Sequence, residues 1–114
     1  MIIHTILVGE LETNCYIVED EKSKEVLIID PGDEAPKILK VLRERKLKPL
    51  YIINTHGHPD HTGANRELKV PILIHELDSP MLKFIGSPSA NRLLRDGDKI
   101  KLGDLIFTVI HTPG

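Results

Sequence analysis

Tryptophan is absent from this chain, and two tyrosines and two phenylalanines are its only aromatic residues. So few rings offer no stacking platform for nucleic-acid bases. A dominant charge is lacking too. The formal net charge is −2, so no basic field draws nucleic acid or an anionic membrane surface. The apolar runs fall far short of the roughly 20 residues a membrane-spanning helix needs. Residues 1–8 lack the basic start and long apolar stretch of a signal peptide, and a cytoplasmic location is the expectation. The single cysteine, Cys15, excludes an intrachain disulfide. It reads as a small buried hydrophobe rather than a reactive thiol. Glutamine is missing while Lys and Glu dominate the charges, a compositional lean towards a thermophile.

What is present is ordinary in bulk. The 114 residues are 40% apolar and 28% charged, which suits one soluble domain. Strands are expected over residues 2–8, 14–18, 25–29, 50–54, 70–75, 98–102 and 105–110. The run Val26-Leu27-Ile28-Ile29 lacks alternation and so asks for cover on both faces. Residues 36–46 carry an apolar stripe at Ile38, Leu39, Val41 and Leu42 against a charged opposite side, the pattern of an amphipathic helix. Asp33 and Glu34 are placed to complement that helix's dipole. Shorter helices are expected at 63–68 and at 77–85, with Asp78-Ser79-Pro80 marking the second start. Residues 87–91 read as a loop.

This order gives a mixed α/β fold, one β-sheet with helices on one face. No stretch of the remaining sequence is expected to cover the other face. A bare face of that kind would drive association.

The chemistry concentrates in Asn54-Thr55-His56-Gly57-His58-Pro59-Asp60-His61-Thr62-Gly63-Ala64. Three histidines and an aspartate fall within six residues, directly after a buried strand. The carboxyl end of a strand is where open α/β sheets place their sites. Imidazole suits zinc and iron. His56 and His58, two apart, can share one metal ion. Asp60 and His61 can hold a second. Two close metals generate hydroxide at neutral pH and polarise a carbonyl or phosphoryl oxygen, so the implied reaction class is hydrolysis. The bland alternative is a polar turn with chance histidines, which this spacing disfavours.

The pattern His56-x-His58-x-Asp60-His61 resembles the signature of the metallo-β-lactamase fold superfamily. The segments Thr13-Asn14-Cys15-Tyr16-Ile17-Val18, Leu27-Ile28-Ile29-Asp30-Pro31-Gly32 and Asp96-Gly97-Asp98 through Gly114 are similar to its strands in the right order. Within it the chain is most similar to glyoxalase II (hydroxyacylglutathione hydrolase) and its short relatives. The resemblance implies His56 and His58 as ligands of a first metal, and Asp60 and His61 as ligands of a second. Asp60 would also act in catalysis. Hydroxide bridging the metals would attack a thioester or ester carbonyl. Asp30 would orient a ligand or its loop from behind. The metals would be zinc, iron or manganese, up to two ions. The family fold is an αββα sandwich of two similar halves, and residues 1–114 correspond to the N-terminal half. The family's next ligand, a histidine, follows the position of Gly114, and a bridging aspartate and last histidine come later.

Two expectations follow, of different class. One is a metal-dependent hydrolase of glyoxalase II type, acting on a small acyl or thioester substrate, its metal site partial and its activity weak. The other is a non-catalytic half-domain that self-associates as a homodimer or larger through the uncovered sheet face, with twofold-related sites. A split protein completed by a separate chain is a further option. His111 reads as structural, His75 as a surface or supporting residue, and His4 as unconnected with the site.

Overall fold

A computed structural model describes residues 1–55, 57–84 and 87–110, without the side chains of Lys83 and Phe84. The chain starts with an antiparallel meander of β1 (Ile2–Val8), β2 (Thr13–Glu19) and β3 (Glu25–Ile29). Parallel strands β4 (Lys48–Asn54), β5 (Ile72–His75) and β6 (Arg92–Leu94) then add in order beside β3. The result is a six-stranded sheet ordered β1-β2-β3-β4-β5-β6. The crossovers carry α1 (Ala35–Glu44), the short α2 (Pro59–Thr62) and α3 (Asn65–Leu68), and α4 (Ser79–Phe84). Each parallel strand is added on the same side of the last. Right-handed crossovers then put every helix on one face.

That face holds one core. Ile38 and Leu42 of α1, Ala64, Leu68 of α3 and Leu82 of α4 pack on Ile6, Ile17, Ile28, Ile52 and Ile74 of the strands. Strand side chains alternate between faces, so Val26 and Ile28 join this core while Leu27 faces the other way. The unalternating run in β3 is therefore buried on both faces, as its composition asked. No helix among the described residues is long and apolar enough to cross a membrane.

The expectation of a bare second face needs correction. A hairpin of β7 (Lys99–Leu102) and β8 (Leu105–Thr108) folds back over it as a separate two-stranded sheet. Ile100 and Leu102 are buried with Val18, Leu27, Leu73 and Leu94, and Leu105, Phe107 and Val109 pack against them. The hairpin turns at Gly103, whose φ of 57° suits glycine. Gly103 donates its N–H to Glu25 Oε1 at 3.0 Å. A Cβ there would lie 1.9 Å from Asp20 Oδ2. The turn is thereby docked on the β2–β3 connection. Coverage is incomplete, and a cavity of about 680 Å³ remains between hairpin and sheet.

Smaller differences have local causes. Strand β6 falls just after the expected loop at 87–91, where no element was expected. It has three residues, two of them exposed, so it carries no period to read. The helix expected over 63–68 is two short turns, 59–62 and 65–68, because Pro59 starts a helix as readily as it ends a strand. The first turn of α1 holds no acidic residue. Glu34 instead accepts the Gly9 N–H at 2.9 Å, and Asp33 accepts the Glu34 N–H.

Candidate metal centre

The centre of the site is Asp30, the residue that follows β3. It is buried, 4% exposed, and takes a left-handed φ of 53°. A non-glycine residue pays conformational strain there, which persists only where the surroundings over-determine it. The surroundings are four hydrogen bonds. The Asp30 N–H reaches Ile53 O at 3.0 Å, tying the end of β3 to β4. Its Oδ1 accepts the Thr55 N–H at 2.7 Å, and its Oδ2 accepts the Thr55 hydroxyl at 2.6 Å. The same Oδ2 lies 2.9 Å from His61 Nδ1.

His61 and Asp60 both stand on α2. His58 precedes that helix in an extended conformation, and its carbonyl accepts the His61 N–H at 3.0 Å and the Thr62 hydroxyl at 3.2 Å. The ring of His61 is held between two carboxylates. A carboxylate accepts only, so Asp30 fixes a proton on Nδ1 and turns the Nε2 lone pair outward. Nε2 then faces Asp60 Oδ2 at 3.3 Å. Two electron-rich atoms so placed repel unless a proton or a cation joins them. A histidine backed by a carboxylate, with a second carboxylate on its open side, is the donor set of a metal ligand. The residues present therefore fit a divalent cation of the zinc or iron type.

His58 is exposed and lines the cavity beneath the hairpin, together with Thr55, His75 and Asp78. His75 ends β5, and its Nδ1 accepts the Leu77 N–H at 3.2 Å. It shares the cavity with His58. His4 lies elsewhere, 3.0 Å from Glu19. His56 and His111 lie outside the described residues. Among the described residues no three histidine, cysteine, aspartate or glutamate side chains converge to hold an ion. Of the expected set, the structure brings Asp30, Asp60 and His61 together, with His58 joined through its backbone.

Three residues of the site escaped sequence reasoning. Thr55 supplies two of the bonds to Asp30. Asn54 and Asn65 form a buried amide pair behind α2, each 2% exposed. The available signal was polar: an asparagine closing an otherwise apolar strand.

Comparison with known proteins decides the lineage. The family model of the metallo-beta-lactamase superfamily matches residues 8–114. The chain belongs to the metallo-β-lactamase superfamily. An uncharacterized protein of Aquifex aeolicus (strain VF5) is 42% identical over 130 residues, across 100% of this chain and 61% of its own length. A hydroxyacylglutathione hydrolase of Erwinia tasmaniensis is 37% identical across 91% of this chain and 40% of its own. The crystal structure of TTHA1623 in a di-iron-bound form superposes with a TM-score of 0.76 at 33% identity, covering 97% of this chain and 61% of that one. This member of the superfamily spans about three fifths, or less, of the relatives it matches. The match gives independent support to the α/β fold and to the resemblance drawn from the histidine motif.

Proposed function

We propose that this chain carries the metal-binding part of a glyoxalase II-like hydrolase that cleaves a thioester or related acyl bond. His56, His58, Asp60 and His61 are the metal ligands in this reading, and Asp30 is the residue that orients His61. The observation that carries it is the Asp30–His61–Asp60 arrangement, with both ring nitrogens of one histidine facing carboxylate oxygens. A metal ion bound there would polarise the acyl carbonyl and bring the pKa of water towards neutrality. Asp30 keeps the proton on Nδ1, so that His61 meets the ion with Nε2. Thr55 pins both Asp30 oxygens and so fixes the ring's direction. Asp60 stands beside Nε2 and brings negative charge to the ion and to the reacting centre.

Zinc, iron and manganese all suit this nitrogen and oxygen set. The di-iron form of a relative and the hydroxyacylglutathione hydrolases among the matches support the choice of chemistry. A cytoplasmic location belongs to the same reading.

The test is metal content per chain by elemental mass spectrometry, on protein purified without chelators. Near-stoichiometric zinc, iron or manganese is expected, with hydrolysis of a glutathione thioester above the metal-free control. The double variant His56→Ala with His58→Ala should lose bound metal. Unchanged metal content in that variant would sink the assignment.

A second reading is a non-catalytic unit that self-associates as a homodimer. The incompletely filled hairpin face favours it: the cavity of about 680 Å³ persists, and Ile106 and Ile110 are 66% and 75% exposed nearby. Light scattering separates the two states. A molar mass twice that of the chain supports self-association, and a monomer at high concentration excludes it.

A further inference from the structure

Asp30 holds the ring of His61, but a ring held on a loose backbone is not held. The backbone of α2 is anchored separately. Asn54, the last residue of β4, directs its Nδ2 to the His61 carbonyl at 3.3 Å. Asn65, the first residue of α3, donates from Nδ2 to Asn54 Oδ1 at 2.8 Å. The reciprocal contact, Asn54 Nδ2 to Asn65 Oδ1, is stretched to 3.5 Å. Asn65 Nδ2 also lies 3.4 Å from Ser87 Oγ, and the Ser87 N–H is tied to Leu82 O at 2.9 Å.

Two facing buried amides are a costly choice for a core. An apolar pair of similar shape would serve packing about as well and leave nothing to satisfy. A satisfied amide pair adds what apolar contact lacks, a single allowed orientation. Here the orientation passes to one atom outside the pair that belongs to the site, the His61 carbonyl. We propose that Asn54 and Asn65 are positioning residues, an amide clamp that sets where His61 stands while Asp30 sets where its ring points. The two holds share an origin. Asn54 and Thr55 are consecutive, so the carboxyl end of β4 grips His61 through its main chain and grips Asp30 through Thr55. The clamp's role towards a metal rests on the reading of His61 as a ligand.

The test is a double-mutant cycle in the 114-residue chain, with cobalt(II) as probe and its dissociation constant as readout. Asn54→Ala is expected to weaken cobalt binding about tenfold, as loss of an outer-shell partner does. In a His61→Ala background the same change should leave cobalt affinity within about twofold, because the clamp acts through His61. Equal losses in both backgrounds would mean general damage to the fold and overturn the proposal, as would no loss in either. Asn65→Ser, whose shorter side chain withdraws the donor from Asn54 Oδ1 and leaves a small hydroxyl in its place, serves if the alanine variant does not fold.

A second readout needs no metal. Long-range nitrogen–proton spectra of the metal-free chain report which ring nitrogen of His61 bears the proton. The wild type should show Nδ1–H; in Asn65→Ser the released His61 main chain carries the ring off Asp30, so a mixture of the two forms is expected. An unaltered Nδ1–H signal in the variant overturns the clamp. If the wild type binds no cobalt, the hydrolase reading fails, and the nitrogen spectra still decide the clamp.

Discussion

Two histidine–carboxylate pairs in this molecule look alike one at a time. Asp30 meets His61 at 2.9 Å, and Glu19 meets His4 at 3.0 Å. Both carboxylates are buried, with side chains 6% and 2% exposed, and both rings are largely covered. Their settings differ. Glu19 and His4 lie on adjacent antiparallel strands, and Lys24 approaches the second Glu19 oxygen at 3.4 Å. Two bases thus share one acid, as in a structural ion-pair network. Asp30 has two Thr55 donors instead, stands in a left-handed backbone, and lies where the parallel strands end. Its histidine presents the far nitrogen to another carboxylate. Burial and pairing do not make a site. What the second nitrogen faces, and where the topology puts it, does.

Substitution at the two carboxylates breaks the likeness most strongly. Asp30→Asn keeps the shape and tolerates the left-handed φ, but its single amide oxygen cannot accept the Thr55 N–H, the Thr55 hydroxyl and His61 Nδ1–H all at once. Removing one side of a buried pair is strongly destabilising, and a loss of about 3 kcal/mol in urea unfolding is expected. Metal affinity should fall at least tenfold with it. Glu19→Gln should cost about 1 kcal/mol, nearer the value of one hydrogen bond, and leave metal affinity unchanged. Equal effects on metal binding from the two variants would dissolve the distinction.

Next comes Gly32, which exists beside only one of the pairs. A Cβ at Gly32 would sit 1.9 Å from the Asp60 carbonyl oxygen. That oxygen is backbone and cannot swing aside. Gly32→Ala should push α2 away from the β3–α1 loop, costing about 2 kcal/mol as overpacking does. Because α2 carries Asp60 and His61, metal affinity should fall too. A fully stable variant with normal metal content would mean that this close approach is not needed.

A smaller effect sharpens the comparison through pH. Glu19 is held below its ordinary 4.5, first by the hydrogen bond with His4 and then by the charge of Lys24, against the opposing push of burial. Its folded value is below its unfolded one. Its contribution to stability is therefore complete above the unfolded value and is lost as pH falls through the folded value. Asp20 behaves in the same sense, chiefly through the Ser23 hydroxyl that it binds at 2.7 Å. The melting temperature should drop as pH goes from 5 towards 3, and Glu19→Gln should flatten part of that drop. A parallel decline in wild type and variant would show that the His4 pair contributes nothing to acid stability.

Much of this was legible in the sequence, for reasons that can be named. The strand at 25–29 announced itself because burial on both faces leaves a continuous apolar run, Val26-Leu27-Ile28-Ile29. The helix at 35–44 was legible because Ile38 and Leu42 recur at helical spacing. The motif from His56 to His61 was legible because few structural needs crowd histidines so. What escaped was non-local. The strands of the hairpin were expected, but no short-range signal says that Ile100 and Leu102 come back over Leu27 and Leu73. Nor does anything local say that Asn54 meets Asn65 across the helical turn between them. A pairing of amides eleven residues apart is set by the tertiary path of α2, and the path is set in turn by contacts such as Ala64 N–H to Pro31 O at 2.9 Å.

The smallest effect uses Cys15 as a witness to the charge on Asp30. Cys15 is fully buried in β2, and its thiol is pushed up to about 12, first by burial and then by the negative charge of Asp30. A thiol so placed reacts only through its thiolate and only when reached. Modification by a disulfide reagent at pH 8 should be at least about a hundredfold slower in the native chain than in urea, with local opening setting the residual rate. Glu19 is not among the groups that raise this thiol, so Glu19→Gln should leave the native rate nearly unchanged. Asp30→Asn should raise it through both loss of charge and easier opening. The two contributions separate by an independent measure of opening. Hydrogen exchange of the Cys15 amide reports easier opening, and any increase in thiol reactivity beyond that factor belongs to the loss of charge. A native rate in Asp30→Asn equal to that of the wild type would mean that the Asp30 charge does not reach β2, and the comparison between the two carboxylates would lose its electrostatic half.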